Sequence, residues 1–118
     1  MMADEPIKAP KISLAKVGNH MVLTLRGSLT HETCDPLEAK VNDLIHHKKQ
    51  WVIMDFKAVP FIDSRSLEVL LRADAALKQN GGALKLINLG PVCRDILIAT
   101  RLINVFQTFD EIHQAVRA

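Results

Sequence analysis

The sequence predicts an α/β fold: one domain with a mixed, mostly parallel five-stranded sheet and about four helices, in the order β-β-α-β-α-β-α-β-α. Three observations carry that expectation. Short apolar runs alternate with stretches whose apolar residues recur at helical spacing, the pattern of strands joined by helical crossovers. The run Trp51 to Phe56 is apolar apart from Asp55, as in a central strand covered on both faces. Of the 118 residues 48% are hydrophobic but only 4% aromatic, so one aliphatic core can form without disulfides or metals.

Taken in order, Lys11 to Ala15 alternates polar and apolar residues like a half-buried edge strand. Val17-Gly18-Asn19-His20 reads as a turn, because Gly and Asn tolerate positive φ. Met21 to Leu25 is a second strand ending at Gly27, and the two should pair as a hairpin. Thr33 to Lys48 is predicted helical, with Leu37, Val41, Leu44 and Ile45 on one stripe and Pro36 near the start, where its missing N–H is harmless. Trp51 to Phe56 is the third strand. Ser64 to Gln79 follows as a long helix, with Leu67, Leu70, Leu71 and Leu77 inward and Arg65, Glu68, Arg72 and Gln79 outward. Glu68 and Arg72 are spaced to pair along it. Asn80-Gly81-Gly82 ends that helix. Ala83 to Leu89 is the fourth strand. Pro91 to Thr100 is a third helix, with Val92, Ile96 and either Leu97 or Ala99 inward. Val105 to Phe109 is a short fifth strand, and Asp110 caps a last helix through Val116. Right-handed crossovers then make the sheet largely parallel.

Composition narrows the function classes. Fifteen basic residues against thirteen acidic leave a formal charge of +2, too balanced for a dedicated nucleic-acid binder. Cys34 and Cys93 form no CxxC pair and are expected to be reduced thiols. No stretch reaches the roughly 18 apolar residues of a membrane span. Residues 1–10 are polar with two prolines and lack the apolar core of a signal peptide, so a flexible arm and a cytoplasmic protein are expected.

Catalytic patterns are missing. There is no GxxxxGK[ST], GxGxxG or GxSxG. His31 can approach Ser64 from a neighbouring loop, but adjacent Asp63 and Ser64 cannot easily flank one imidazole in a relay. His46 and His47 point about 100° apart on a helix and make a poor chelate. Cys34, near a helix start, reads as an inert thiol rather than an activated one. Lys85, Arg94 and Arg101 are scattered and call for no special partner. The expectation is a binding module without catalytic residues, cofactor or metal.

Element order alone selects a candidate site. In open α/β sheets the functional crevice lies at the carboxyl ends of the parallel strands. Three segments leave those ends: residues 27–33, 59–66 and 88–92. Within the second, Phe61 and Ile62 can pin the turn to the domain, while Asp63 and Ser64 begin a helix. One of them can simply be the N-cap. The sharper reading is a phosphoacceptor, since a helix N-terminus has unpaired N–H groups and a positive dipole end. A phosphoserine there adds about −1.5 to −2 charge. That charge harms the fold little, but burying it under a docked partner costs several kcal/mol. About 3–4 kcal/mol already weakens binding a hundredfold or more.

The chain resembles the STAS domain family, which includes anti-sigma factor antagonists and cytoplasmic domains of sulfate transporters. The resemblance spans roughly residues 12–117. It rests on Gly27-Ser28-Leu29, on Val52-Ile53-Met54-Asp55-Phe56, on Phe61-Ile62-Asp63-Ser64 with Leu67, on Gly81-Gly82, and on the segment 102–106. In the antagonists the serine after the aspartate is phosphorylated by the anti-sigma kinase, and the unphosphorylated form binds that kinase. By position that serine is Ser64. The resemblance implies a partner-binding surface of Thr30, Asp63, Arg65, Ser66, Glu68 and Arg72. Three residues depart from the family pattern. Ser66 stands where a glycine is usual, and its side chain would obstruct a partner or act as a second acceptor. Arg65 replaces a small polar residue and could pair with a phosphate on Ser64. Thr30 replaces a common aspartate. Two functions follow: an antagonist that binds an anti-sigma factor/kinase and is gated at Ser64, or a non-phosphorylated adaptor subunit of a lipid or anion transporter or of a signalling complex.

Overall fold

A computed structural model describes residues 11–118. The arm expected over residues 1–10 lies outside the described residues. The elements are β1 (Lys11–Val17), β2 (His20–Arg26), α1 (Asp35–His46), β3 (Trp51–Ala58), α2 (Ser64–Gln79), β4 (Ala83–Ile87), α3 (Pro91–Ala99), β5 (Gln107–Phe109) and α4 (Ile112–Arg117). They follow the predicted order. The five strands lie in sequence order, β1-β2-β3-β4-β5, with β1 antiparallel to β2 and all other pairs parallel.

The two faces of the sheet are covered unequally. Side chains alternate along a strand, so neighbouring residues serve different faces. Leu23, Met54 and Leu86 face the larger core, where Leu37 and Val41 of α1, Leu70 and Leu77 of α2, and Leu97 of α3 meet them. Each fully buried aliphatic side chain contributes about 1.5–3 kcal/mol relative to exposure. Val22, Ile53 and Ile87 face the other way, under Ala115 of α4, with Ile112 and Val116 beside it. Three helices thus cover one face and one six-residue helix covers part of the other.

Several boundaries differ from expectation for local reasons. The first turn narrows to Gly18-Asn19, and His20 is the buried first residue of β2 rather than part of the turn. α1 starts at Asp35 instead of Thr33, because a turn closes first: the N–H groups of Thr33 and Cys34 both donate to the Thr30 carbonyl. Val69 rather than Leu71 completes the buried stripe of α2. β4 stops at Ile87, since Asn88 takes a positive φ of 58°. Val92 is 51% exposed instead of inward, and Cys93 and Leu97 are the buried residues of α3. β5 loses Val105 and Phe106 to the preceding turn, where Phe106 is buried. The cap of α4 is Glu111, whose carboxylate accepts from the Gln114 N–H at 3.0 Å, and not Asp110.

At the amino ends of the strands, Gly82 permits a close crossing. The Ala83 N–H donates to the Gln50 carbonyl at 3.0 Å, and a Cβ on Gly82 would run into that same carbonyl.

Candidate functional site

The loops after β2 and β3 are knit together at the carboxyl edge. Leu29 and Ile62 form a parallel bridge beyond the named strands. The Leu29 N–H donates to Phe61 and the Asp63 N–H donates to Leu29, at 2.9 and 3.0 Å. Both bridge residues are buried, so the sheet in effect extends into the turn. This is why Asp63 and Ser64 occupy a defined position instead of a loose loop.

Asp63 is the N-cap of α2, with extended backbone at φ −99° and ψ 178°. One carboxylate oxygen accepts the Ser66 N–H at 2.9 Å. The other accepts the His31 N–H at 2.6 Å and lies 3.3 Å from the His31 ring Nδ1. A single carboxylate therefore caps the helix and fixes the β2–α1 loop. Burial alone would raise its pKa, but the N–H groups of Ser66 and His31 outweigh that and hold it below the ordinary aspartate value.

Ser64 follows as the first helical residue and is exposed. It begins a sixteen-residue helix whose first N–H groups have no intrahelical partner. The Ser66 N–H is occupied by Asp63, while those of Ser64 and Arg65, in the first turn, have no intrahelical acceptor. The His31 ring, at this edge, is directed to Asp63.

The remaining predicted residues divide. Arg65 and Arg72, two turns apart on α2, grip opposite oxygens of Glu38 on α1 at 3.2 and 3.0 Å. Arg72 thus pairs across helices, not with Glu68, because α1 presents its carboxylate within reach. Arg65 is likewise committed to Glu38. Glu68 is exposed on the outer face of α2. Thr30 is half-buried and bonds locally: its N–H donates to Thr33 Oγ1 at 2.9 Å and the two hydroxyl oxygens lie 3.2 Å apart. Ser66 is fully buried and its Oγ has no hydrogen-bond partner among the described residues. It is buried because it is the N3 position of a helix whose buried stripe starts there.

The third segment joins the edge through β3. Asn88 Nδ2 donates to Asp55 at 3.1 Å, and the Cys93 thiol donates to the Val59 carbonyl at 3.4 Å. Both cysteines are free and buried, and burial pushes the Cys93 thiol pKa up. Among the described residues no group of three His, Cys, Asp or Glu could hold a metal ion, and no helix is long and apolar enough to cross a membrane.

Two residues escaped the sequence reading. Glu38 had a signal: two arginines seven apart on one helix face ask for an acid opposite. Lys85 had none. It is buried in β4, with Nζ 3.0 Å from His20 Nε2 and 2.7 Å from the Ala115 carbonyl, so it does have special partners.

Comparison with known proteins agrees with this geometry. The family model described as "STAS domain" matches residues 11–115. The Anti-sigma F factor antagonist of Paenibacillus polymyxa is 23% identical over 91 residues, covering 76% of this chain and 78% of that protein. A candidate anti-sigma factor antagonist from Thermotoga maritima superposes with a TM-score of 0.85 at 20% identity, over 90% of this chain and 92% of the other. The Bacillus cell fate determinant SpoIIAA, solved in its phosphorylated form, superposes with a TM-score of 0.71 at 22% identity, over 91% and 96% of the two chains. The family match runs from the first residue of β1 into α4 and takes in both loops that meet at Asp63, so the chain belongs to the STAS domain family.

Proposed function

We propose that this chain is a phosphorylation-gated anti-sigma factor antagonist. Unphosphorylated, it docks an anti-sigma factor with kinase activity over the start and outer face of α2. Phosphorylation of Ser64 ends that docking. The observation that carries the reading is the exposed Ser64 at the first position of α2, held there by an aspartate bonded on both sides.

The chemistry follows from that placement. A phosphate on Ser64 meets the positive end of α2 and N–H groups without intrahelical acceptors, so the fold accepts it. A docked protein that excluded water there would bury a charge of about −1.5 to −2 unpaired, which opposes binding. Asp63 already carries a negative charge at this edge, and Arg65 is engaged by Glu38. The docking surface is then Thr30, Asp63, Arg65, Glu68 and Arg72 around Ser64, without the buried Ser66. The antagonist named among its relatives, and the neighbour solved in a phosphorylated form, support the same reading.

The test uses the purified chain, its cognate anti-sigma kinase and ATP. Mass spectrometry should place one phosphate on Ser64. Ser64→Ala should keep its affinity, whereas Ser64→Glu should lose about a hundredfold, the equivalent of about 3 kcal/mol. An unmodified Ser64 together with undiminished binding by Ser64→Glu would overturn the proposal and favour a non-phosphorylated adaptor.

A further inference from the structure

Away from Ser64, the amino-end half of the sheet holds a buried cation. Lys85 is 1% exposed in the middle of β4. Its ammonium has three protons and three acceptors: His20 Nε2 at 3.0 Å, the Ala115 carbonyl at 2.7 Å and the main-chain oxygen of Ala118 at 3.1 Å. The Trp51 ring centroid lies 4.8 Å away and that of Phe109 5.8 Å, which adds cation–π attraction. Its hydrogen-bond partners are thus an imidazole and two main-chain oxygens, with no side-chain carboxylate among the described residues.

α4 has little else to hold it. It is six residues long, and Ala115 is its one fully buried side chain. Ile112 and Val116 add partial contact with Val22, Ile53 and Ile87. The Lys85 ammonium therefore works as a C-terminal cap delivered from the sheet, a cation at the negative end of a helix.

His20 completes the arrangement only while neutral. An ammonium can only donate, so His20 Nε2 must accept and the ring proton must sit on Nδ1. That Nδ1 is buried with no partner among the described residues. A proton added at Nε2 would remove the acceptor and set a second cation 3.0 Å from the first. We propose that α4 is a pH-sensitive latch: protonation of His20 breaks its bond with Lys85, and α4 lifts from the sheet to uncover Val22, Ile53 and Ile87.

Among the described residues, no side chain beside His20 offers a compensating negative charge. β1 places Val17 opposite His20, β3 brings the Trp51 ring, and β4 brings Lys85. α4 brings the Ala115 carbonyl, and Ala118 after it a main-chain oxygen. Its ionisable side chains are engaged in the helix or exposed: Glu111 caps the helix, His113 is exposed, and exposed Arg117 donates from Nε to the His113 carbonyl. Burial, and then Lys85, hold the His20 pKa below its ordinary 6.5. The latch is closed at neutral pH and opens below pH 6.5. It does not depend on the reading of Ser64.

Amide hydrogen exchange on the full chain tests this at about pH 7.5 and 5.5, corrected for intrinsic rates. The Ala115 amide should exchange faster at the lower pH, by up to about tenfold, the most that titration from the ordinary 6.5 down to 5.5 can carry, while α2 amides stay protected. His20→Gln keeps an acceptor for Lys85 but cannot gain a proton, so it should abolish the difference. His113→Gln should preserve it. Unchanged protection in the wild type, an undiminished response in His20→Gln, or a lost response in His113→Gln would each overturn the latch. If His20→Gln does not fold, NMR titration of the wild-type His20 ring decides. Its midpoint must coincide with α4 release, and a His20 ring that stays neutral through the release overturns the latch.

Discussion

The two ends of the parallel strands treat charge in opposite ways. At the carboxyl end, charged and polar groups stand near the surface and find complementary partners. Asp63 accepts two backbone N–H groups, and Glu38 is held by two arginines. At the amino end, Lys85 and His20 are buried together, and among the described residues the acceptors for the cation are an imidazole and two main-chain oxygens. Both Asp63 and His20 have lowered pKa values, but for opposite reasons: hydrogen bonds overcome burial at Asp63, while burial itself acts at His20. The carboxyl end meets its negative charges with N–H groups and arginines, whereas at the amino end burial and Lys85 oppose a second positive charge.

The sharpest way to break the comparison is steric. Gly82→Ala at the amino end places a Cβ against the Gln50 carbonyl, in backbone that cannot swing aside. We expect destabilisation of about 3 kcal/mol or more, at the upper end of overpacking effects. Urea unfolding measures it, and a shift below about 1 kcal/mol would mean that the β3 and β4 starts can move apart.

Asp63→Ala comes next, at about 1–3 kcal/mol, because it removes a helix cap and the tether to His31 together. The two ends should also separate by pH. His20 takes up a proton more readily when unfolded, so its contribution is whole above pH 6.5 and declines as pH falls below it. Asp63 also has a folded pKa below its unfolded one, so its contribution persists down to about its ordinary 3.8 and disappears only as pH falls through the lower folded value. Stability measured against pH should show two acid steps, with the second missing in Asp63→Ala. A single step shared by both proteins would erase the distinction between the ends.

Glu38→Gln should have the smallest effect, about 0.5–1 kcal/mol, because both arginine partners are more than a third exposed. A double-mutant cycle with Arg72→Ala isolates the coupling. A value above about 2 kcal/mol would show that the α1–α2 clamp counts for more than a surface ion pair.

Much of this was legible in the chain. The alternation of strands and helices gave the topology, and topology placed Ser64 at the carboxyl edge before any contact was known. The bounds of the helix starting at Ser64 were read to the residue, since its cap and its Asn80-Gly81-Gly82 end agree, though Val69 takes the buried place expected of Leu71. Misreadings concentrated where local pattern is weak. Val92 looked inward by hydrophobicity, but the helix phase is set by Cys93 and Leu97. Ser66 stood out as a departure from the family glycine, and it falls on the buried stripe of α2.

What the sequence determined by itself is therefore periodic and local: which segments are strands or helices, where α2 begins, and that Ser64 stands at its first turn. Only the tertiary structure decided which charges meet. Asp63 finds His31 across 32 positions, Glu38 finds Arg72 across 34, and Lys85 finds His20 across 65. Periodicity encodes the face a residue occupies, because that depends on near neighbours in the chain. A charge's partner depends on how whole elements pack, and so the chemistry of Ser64's surroundings and of the buried lysine emerged only from the fold.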